Sequence, residues 1–490
     1  MLRYFQIPIR NFEVFNHKTQ TAMKIKQLYT QCLAEAAYVI ISDGEAAVID
    51  PLREVQPYID LADKYGAKIK YVFETHFHAD FVSGHLDLAK KTGATIVFGP
   101  TARPGFEALV AADEDMFIIG DVRIKLLHTP GHTMESSSFL LIDEAGVDHA
   151  IFTGDTLFLG DVGRPDLAVK TDLTKEDLAG HLYDSLHNKI LPLSDNLIVY
   201  PGHGQGSACG KNMSSETVDS LGNQKNFNYA LQPDLTRDEF IRQVTADLVA
   251  PPQYFPKNAV MNKEGYDSID EILDRGVIGL YPHEFIMTAD REHALILDTR
   301  AKEAFAEAHI PGSVFIGIDD SFAPWVGALI QDLKQPILFI ADEGREEEVV
   351  TRLSRVGYDH ALGYLKGGIE AWLAAKEPVA SMEQISPQDF ASLPDKAVRL
   401  LDVRKETEYN SQHLVGARNF PLDFIYDQLD ALKKDKTYYV HCAGGYRSMI
   451  ACSILQGNGF KKVVNIQAGF NGLKNTDLVL TAYQEPVSLL

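Results

Sequence analysis

The chain has 490 residues, 45% hydrophobic and 23% charged, an ordinary globular composition with room for about three domains of about 150 residues each. Its formal net charge of −22 argues against a nucleic-acid or anionic-membrane surface, since both need a basic footprint. The four cysteines, Cys32, Cys209, Cys442 and Cys452, are too few and too scattered for a disulfide scaffold. No run reaches the roughly 18 apolar residues of a membrane span, and the N-terminus lacks the apolar core of a secretory signal. A cytoplasmic chain with no membrane or nucleic-acid partner is expected.

Residues 1–22 read as an extension with no assigned role, and Met23 opens a β-like run, Lys24–Tyr29. Buried strands are predicted at Ala37–Ile41, Ala46–Ile49, Ile69–Phe73, Thr95–Phe98, Ile124–Leu127, Phe139–Ile142, Ala150–Phe152 and Leu197–Tyr200. Tight Ser-Asp-Gly or Gly turns join the first of them, and helical segments such as Val82–Lys91 join the later ones. This is a mixed α/β pattern with many strands. Leu248–Tyr266, with Pro251, Pro252 and Pro256, reads as a linker rather than a loop over the first site. Beyond it lies an internal repeat. Leu297-Asp298-Thr299-Arg300 recurs 104 residues later as Leu401-Asp402-Val403-Arg404, and each Asp is followed eleven residues on by a histidine, His309 or His413. Strands at Ile337–Ile340 and Tyr438–Val440, then a polar loop and a helix, complete each copy of a duplicated α/β domain. The expected boundaries are 23–265, 275–378 and 379–490.

The strongest local signal is Thr75-His76-Phe77-His78-Ala79-Asp80, just after the strand Ile69–Phe73. His132 in Thr-Pro-Gly-His-Thr, Asp155 in Thr-Gly-Asp-Thr and His203 in Tyr-Pro-Gly-His lie past other strands. Loops at the carboxyl ends of strands can converge in one crevice, and imidazole with carboxylate suits zinc or iron. These residues resemble the metallo-β-lactamase superfamily over roughly 23–265, which implies an αββα sandwich. The motif departs from that family at Phe81, where a second-site histidine would stand, and this disfavours a dinuclear zinc centre that activates water. The spacing is most similar to the persulfide dioxygenase branch. That resemblance implies one Fe(II) per chain held by His76, His132 and Asp155, with positions left open for substrate sulfur and O₂. His78, Asp80 and His203 would be further ligands or would orient the ligands and move protons. Arg164, in Gly160-Asp161-Val162-Gly163-Arg164-Pro165-Asp166, resembles the family arginine that holds a thiol-carrier carboxylate, a role its planar fork suits. After His203, the run Gly204–Lys211 resembles the branch fused to rhodanese domains. Cys209 within it is a sulfur-relay candidate, with an inert structural thiol as the alternative.

His441-Cys442-Ala443-Gly444-Gly445-Tyr446-Arg447-Ser448 lies between a strand and the helical run Met449–Leu455. A cysteine there faces backbone N–H groups and a helix N-terminus, which favour thiolate and bind anions, and Arg447 adds positive charge. The motif resembles the rhodanese active-site loop, so the whole is expected as a metallo-β-lactamase sandwich followed by two rhodanese-like α/β domains. Gly444, Gly445 and Tyr446 would cradle the substrate. A cysteine phosphatase is disfavoured because Cys442 and Arg447 are spaced Cys-x4-Arg rather than Cys-x5-Arg. Cys452 reads as packed core. In the first copy Asp342 stands at the cysteine position among acidic residues, so that copy cannot form a persulfide and reads as a scaffold. Together the resemblances imply oxidation of a low-molecular-weight persulfide (of glutathione, coenzyme A or a similar thiol) by O₂ to sulfite and thiol. Coupled to it is Cys442 sulfur transfer giving thiosulfate, in a homo-oligomer. A dinuclear-zinc thioesterase with a rhodanese tail and a non-catalytic sulfide-sensing scaffold are the competing readings.

Overall fold

The computed structural model describes residues 9–10, 23–167, 173–248, 250–394 and 399–484. The extension 1–22 lies outside them except for the strand Ile9–Arg10. The chain forms two compact units, one largely of residues up to Ile269 and the other largely from Asp270 onward.

The first unit is built on two sheets. One runs in the order Ile9–Arg10, Lys24–Thr30, Glu35–Ser42, Glu45–Ile49, Lys68–Phe73, Thr95–Phe98 and Leu109–Val110. The other runs Asp219–Ser220, Ile198–Pro201, Asp148–Gly154, Ser137–Ile142, Val122–His128 and Met116–Ile119. The eight residues Glu35–Ser42 are buried along their whole length, as a strand covered on both faces must be. Asp43 and Gly44 turn it into Glu45–Ile49 with φ of +38° and +75°, the backbone a two-residue hairpin requires. Tyr38, Ile40, Phe73, Phe117, Phe139 and Phe152 meet between the sheets in one core. Outside it, Tyr58, Leu61 and Leu88 cover the first sheet from the helices Gln56–Lys64 and His85–Thr92. Ala179, Leu182 and Phe240 cover the second from Lys175–Ser185 and Arg237–Thr245. This is the expected αββα sandwich, and all eight predicted strands are present.

Two readings of this unit change. The helix predicted from Val82 begins at His85, because the residues before it are tied into a loop: Ser83 N–H donates to Asn262 Oδ1 at 2.8 Å and Gly84 N–H to Pro51 O at 2.8 Å. The stretch Leu248–Tyr266 is not a linker. Phe255–Glu264 is a helix with Pro256 in its first turn, where the missing N–H costs nothing. Its buried Asn262 donates to His78 O and Phe81 O, both at 2.7 Å, and the Tyr266 hydroxyl donates to Ser83 O.

In the second unit the two copies have the same all-parallel topology. One sheet runs Gly279–Leu280, Ala361–Leu365, Ile337–Ile340, Leu295–Asp298, Val314–Phe315. The other runs Glu383–Ile385, Lys462–Ile466, Thr437–His441, Leu400–Asp402, Arg418–Asn419. The repeated Leu-Asp-x-Arg motif is a structural brace in each. Arg300 forks onto buried Asp298 and donates to Ala308 O; Arg404 forks onto Asp402 and donates to Gln412 O. His309 stacks on Phe305 and His413 on Tyr409, with centroids 3.9 and 3.6 Å apart. Among the described residues no helix is long and apolar enough to cross a membrane.

Asn262→Ala strands two carbonyls and one N–H in the interior. It should lower the stability of the first unit by about 2–4 kcal/mol, read as an earlier first transition in urea denaturation. An unshifted transition would show that the contact is incidental.

Candidate active sites

The loops following Lys68–Phe73, Val122–His128, Asp148–Gly154 and Ile198–Pro201 meet at one end of the sandwich. Ser137 N–H bonds Thr75 O and Gly202 N–H bonds Gly154 O, both at 2.9 Å. The ligand atoms of His76, His132 and Asp155 lie within 4.8 Å of one another, all buried. His132 Nε2 is 3.5 Å and His76 Nε2 4.0 Å from Asp155 Oδ2. Separations of this order fit donors around an ion with bonds of about 2.0–2.2 Å.

The surrounding hydrogen bonds set the tautomers. Asp50 accepts Thr75 N–H and Thr75 Oγ1–H, each at 2.8 Å. Having spent its proton, the Thr75 hydroxyl accepts Nδ1–H of His76 at 2.9 Å, which leaves Nε2 with a free lone pair. His132 Nδ1–H donates to Arg164 O at 2.8 Å with the same result. Burial, together with the neighbouring imidazoles of His78, His132 and His203, holds His76 well below the ordinary histidine range, so it is the neutral ligand form. Gly163 and Gly202 complete the cradle. A Cβ at Gly163 would stand 2.0 Å from Asp155 O, and one at Gly202 2.8 Å from Asp155 Oδ1.

Asp155 turns its other oxygen to a second cluster: His203 Nε2 lies 3.5 Å from Asp155 Oδ1 and 3.5 Å from Asp80 Oδ2. His78 joins Asp80 and His203 as a possible ligand group. Its Nε2 faces Asp50 Oδ1 at 3.1 Å and Glu74 Oε2 at 3.5 Å. Burial acts to lower the His78 pKa, but these carboxylates raise it to about 9. Phe81, fully buried, packs tilted against the His78 ring with centroids 4.3 Å apart. For Asp80, burial has the opposite effect and raises the carboxyl. Both Asp155 oxygens, Asp80 Oδ1, His203 Nε2 and His78 Nδ1 are buried and unmatched by any hydrogen-bond partner. Leaving such groups bare is costly, so these residues fit a bound metal cation.

Of two further site candidates, Arg164 spends its fork inside its own loop: Nε and Nη2 pair with the Asp166 carboxylate at 2.7 Å each, and Nη1 donates to Ala208 O. It braces the loop that carries Gly163. Cys209 does reach the pocket, within 4.8 Å of ligand atoms of Asp155 and His203, but burial, then Asp80 and Asp155, push its thiol well up. Asp50 and Asn262, which orient the pocket, are absent from the sequence reading, and Thr75 has no role in it beyond opening the motif. Asp50 carries a signal of its own in its left-handed φ of +49° at a strand end, which no sequence pattern displays.

In the second unit, Cys442 is buried and its Sγ accepts Gly445 N–H at 3.1 Å. Gly445, at φ +101°, opens the helix Tyr446–Gly457, and Gly444 is exposed. Arg447 is not a free positive charge. Its Nη1 and Nη2 pair with Glu408 at 2.5 and 2.8 Å, which helps hold Glu408 below the usual carboxylate range against its desolvation. The Tyr446 hydroxyl donates to Gly317 O at 3.0 Å. In the other copy Asp342, Glu343 and Gly344 form an exposed turn with no thiol. Cys452 is fully buried in the helix after Cys442, and burial raises its thiol well above the ordinary value.

The chain belongs to the metallo-beta-lactamase superfamily, whose model matches residues 31–203. Behind that domain it carries two rhodanese-like domains, matched at 282–375 and 386–476. It is similar to a solved metallo-beta-lactamase of Staphylococcus aureus, 33% identical with a TM-score of 0.61, covering 71% of this chain and 99% of that one. The crystal structure of ETHE1 from Myxococcus xanthus is 28% identical with a TM-score of 0.42, covering 49% and 99%. Among curated proteins, a probable hydroxyacylglutathione hydrolase of Schizosaccharomyces pombe is 29% identical over 41% of this chain and 77% of its own length.

Asp155→Asn keeps the side chain's shape and removes a buried charge. The metal-free protein should gain about 1–3 kcal/mol, while bound metal, measured by elemental analysis, falls below a tenth of the wild-type content. A variant that keeps its metal would show that Asp155 is no ligand.

Proposed function

We propose that the first domain is a mononuclear non-haem iron persulfide dioxygenase and that Cys442 is the sulfur-carrying thiol of a coupled sulfurtransferase. The observation that carries this reading is Phe81. The position where a second-site histidine would stand holds a buried phenyl ring packed on His78, while His76, His132 and Asp155 present two imidazoles and one carboxylate on one face. That donor set suits Fe(II) with open positions, and the ion, when bound, would supply O₂ activation and a seat for the substrate sulfur.

The protein's own groups do the rest. Thr75 and Arg164 O fix the ring orientations of His76 and His132, and His203 and Asp80 stand beside Asp155 to exchange protons. The balance is R–S–SH + O₂ + H₂O giving R–SH, sulfite and two protons. At the second site Cys442 takes the outer sulfur of another persulfide, releasing R–SH and leaving Cys442–S–SH. Sulfite attacks that sulfur, thiosulfate leaves, and the thiol is restored. Joining both sites in one chain keeps the sulfite at a high effective concentration.

A hydrolytic reading is favoured by one specific feature: Asp155 turns an oxygen to each cluster, as a residue bridging two ions would. The hydroxyacylglutathione hydrolase relatives fit it as well. Oxygen uptake separates the two. Under air, with glutathione persulfide as sole sulfur source, the full chain should consume about two persulfides per O₂ and accumulate thiosulfate. Cys442→Ser should accumulate sulfite with oxygen uptake retained, and His132→Ala should take up none. No oxygen uptake by the iron-loaded wild type would end the dioxygenase reading.

A further inference from the structure

The copy without a cysteine carries an arginine of its own in the equivalent loop, Arg345. We propose that this degenerate loop is a clamp that positions Tyr446 in the Cys442 loop of the other copy, and that the silent domain tunes the reactivity of Cys442 through it. The inference rests on the reading of Cys442 as the transferring thiol.

The clamp can be followed bond by bond. Arg345, three residues after Asp342, forks onto Glu348 at 2.8 and 3.1 Å and reaches Asp319 Oδ1 at 2.8 Å. Glu348 is buried, and its Oε1 also receives Arg352 Nη2 at 2.6 Å. Arg352 Nη1 donates to Ile318 O at 2.6 Å. The chain Arg345–Glu348–Arg352 is therefore bolted at both ends to the segment that follows the edge strand Val314–Phe315. Charge-assisted bonds of this length, made by planar forks on a buried carboxylate, resist displacement better than neutral ones.

The segment so held presents Gly317 O to the Tyr446 hydroxyl at 3.0 Å, and Phe315 sets its ring edge-on to Tyr446 with centroids 5.9 Å apart. Burial pushes the Tyr446 hydroxyl well above its ordinary pKa, so it remains a donor. Seven residues further along the same helix face, Ser453 Oγ accepts Phe315 N–H at 3.0 Å. Tyr446 follows directly on Gly445, whose N–H is the one hydrogen bond to Cys442 Sγ among the described contacts. Any shift of the first helical turn therefore moves the donor that the sulfur depends on. Tyr446 is a positioning residue: it acts on Cys442 through Gly445 and does not itself meet the sulfur.

The test uses the full-length chain as wild type, Tyr446→Phe, Arg345→Lys and the double variant. Two readouts are taken at pH 7: thiosulfate-to-cyanide sulfur transfer, and the rate at which iodoacetamide alkylates Cys442, resolved by peptide mass from the other three cysteines. Each single variant should slow both rates about three- to ten-fold, as loss of one positioning bond does, with the melting temperature unchanged within a few degrees. The double variant should be no slower than the slower single one, because both changes break the same chain. Single variants within two-fold of wild type, or a double variant slowed by the product of the two, would overturn the clamp. If Arg345→Lys does not fold, Tyr446→Phe, which removes one oxygen atom, decides alone. A wild type that transfers no sulfur while its alkylation still responds to the variants would sink the transferase reading and leave the clamp standing.

Discussion

A carboxylate buried with no N–H or O–H donor is among the most expensive things a protein can carry, and Asp155 is one, with imidazoles on either side of it. Much of the first unit follows from that constraint. The two sheets bring four strand ends together around Asp155, and the loops beyond them close so tightly that Gly163 and Gly202 have no space for a side chain. The Asp50–Thr75–His76 chain and the His132–Arg164 carbonyl bond consume the imidazole protons on the far side, so the lone pairs face the carboxylate. A cation held by His76, His132 and Asp155 would give the buried Asp155 carboxylate the partner it lacks.

The second unit shows the opposite economy. Both copies keep the buried Asp–Arg brace and the histidine stacked four residues after an aromatic, because these hold the parallel sheet to its first helix in either copy. They diverge sharply in the loop at the end of one strand. There one copy has Cys442 under the Gly445 N–H, and the other has an arginine holding Asp319 and Glu348. Fold and loop are separable here: the brace serves the domain in both copies, and the loop differs.

The sandwich, the duplication and the metal cluster were legible in sequence because their signals are local: buried runs between turns, a repeated tetrapeptide, and histidines just past strand ends. What was not legible depends on partners far apart in the chain or on competition between near ones. Asn262 reaches His78 across 184 residues, from a proline-flanked stretch whose composition reads as a connector. Arg164 appeared free for a carboxylate, yet Asp166 two residues on satisfies its fork. Arg447 was read as a charge in the loop, and Glu408, 39 residues earlier, neutralises it. The partners that hold Asn262, Arg164 and Arg447 are visible only in three dimensions.

The dioxygenase we propose needs one metal, an iron, at His76, His132 and Asp155. Elemental analysis of the full-length chain, purified without oxygen and without added metal, tests it most directly. A dioxygenase should hold close to one iron per chain and little zinc. Two zinc ions per chain, with iron absent, would contradict it and return the first domain to the hydrolases.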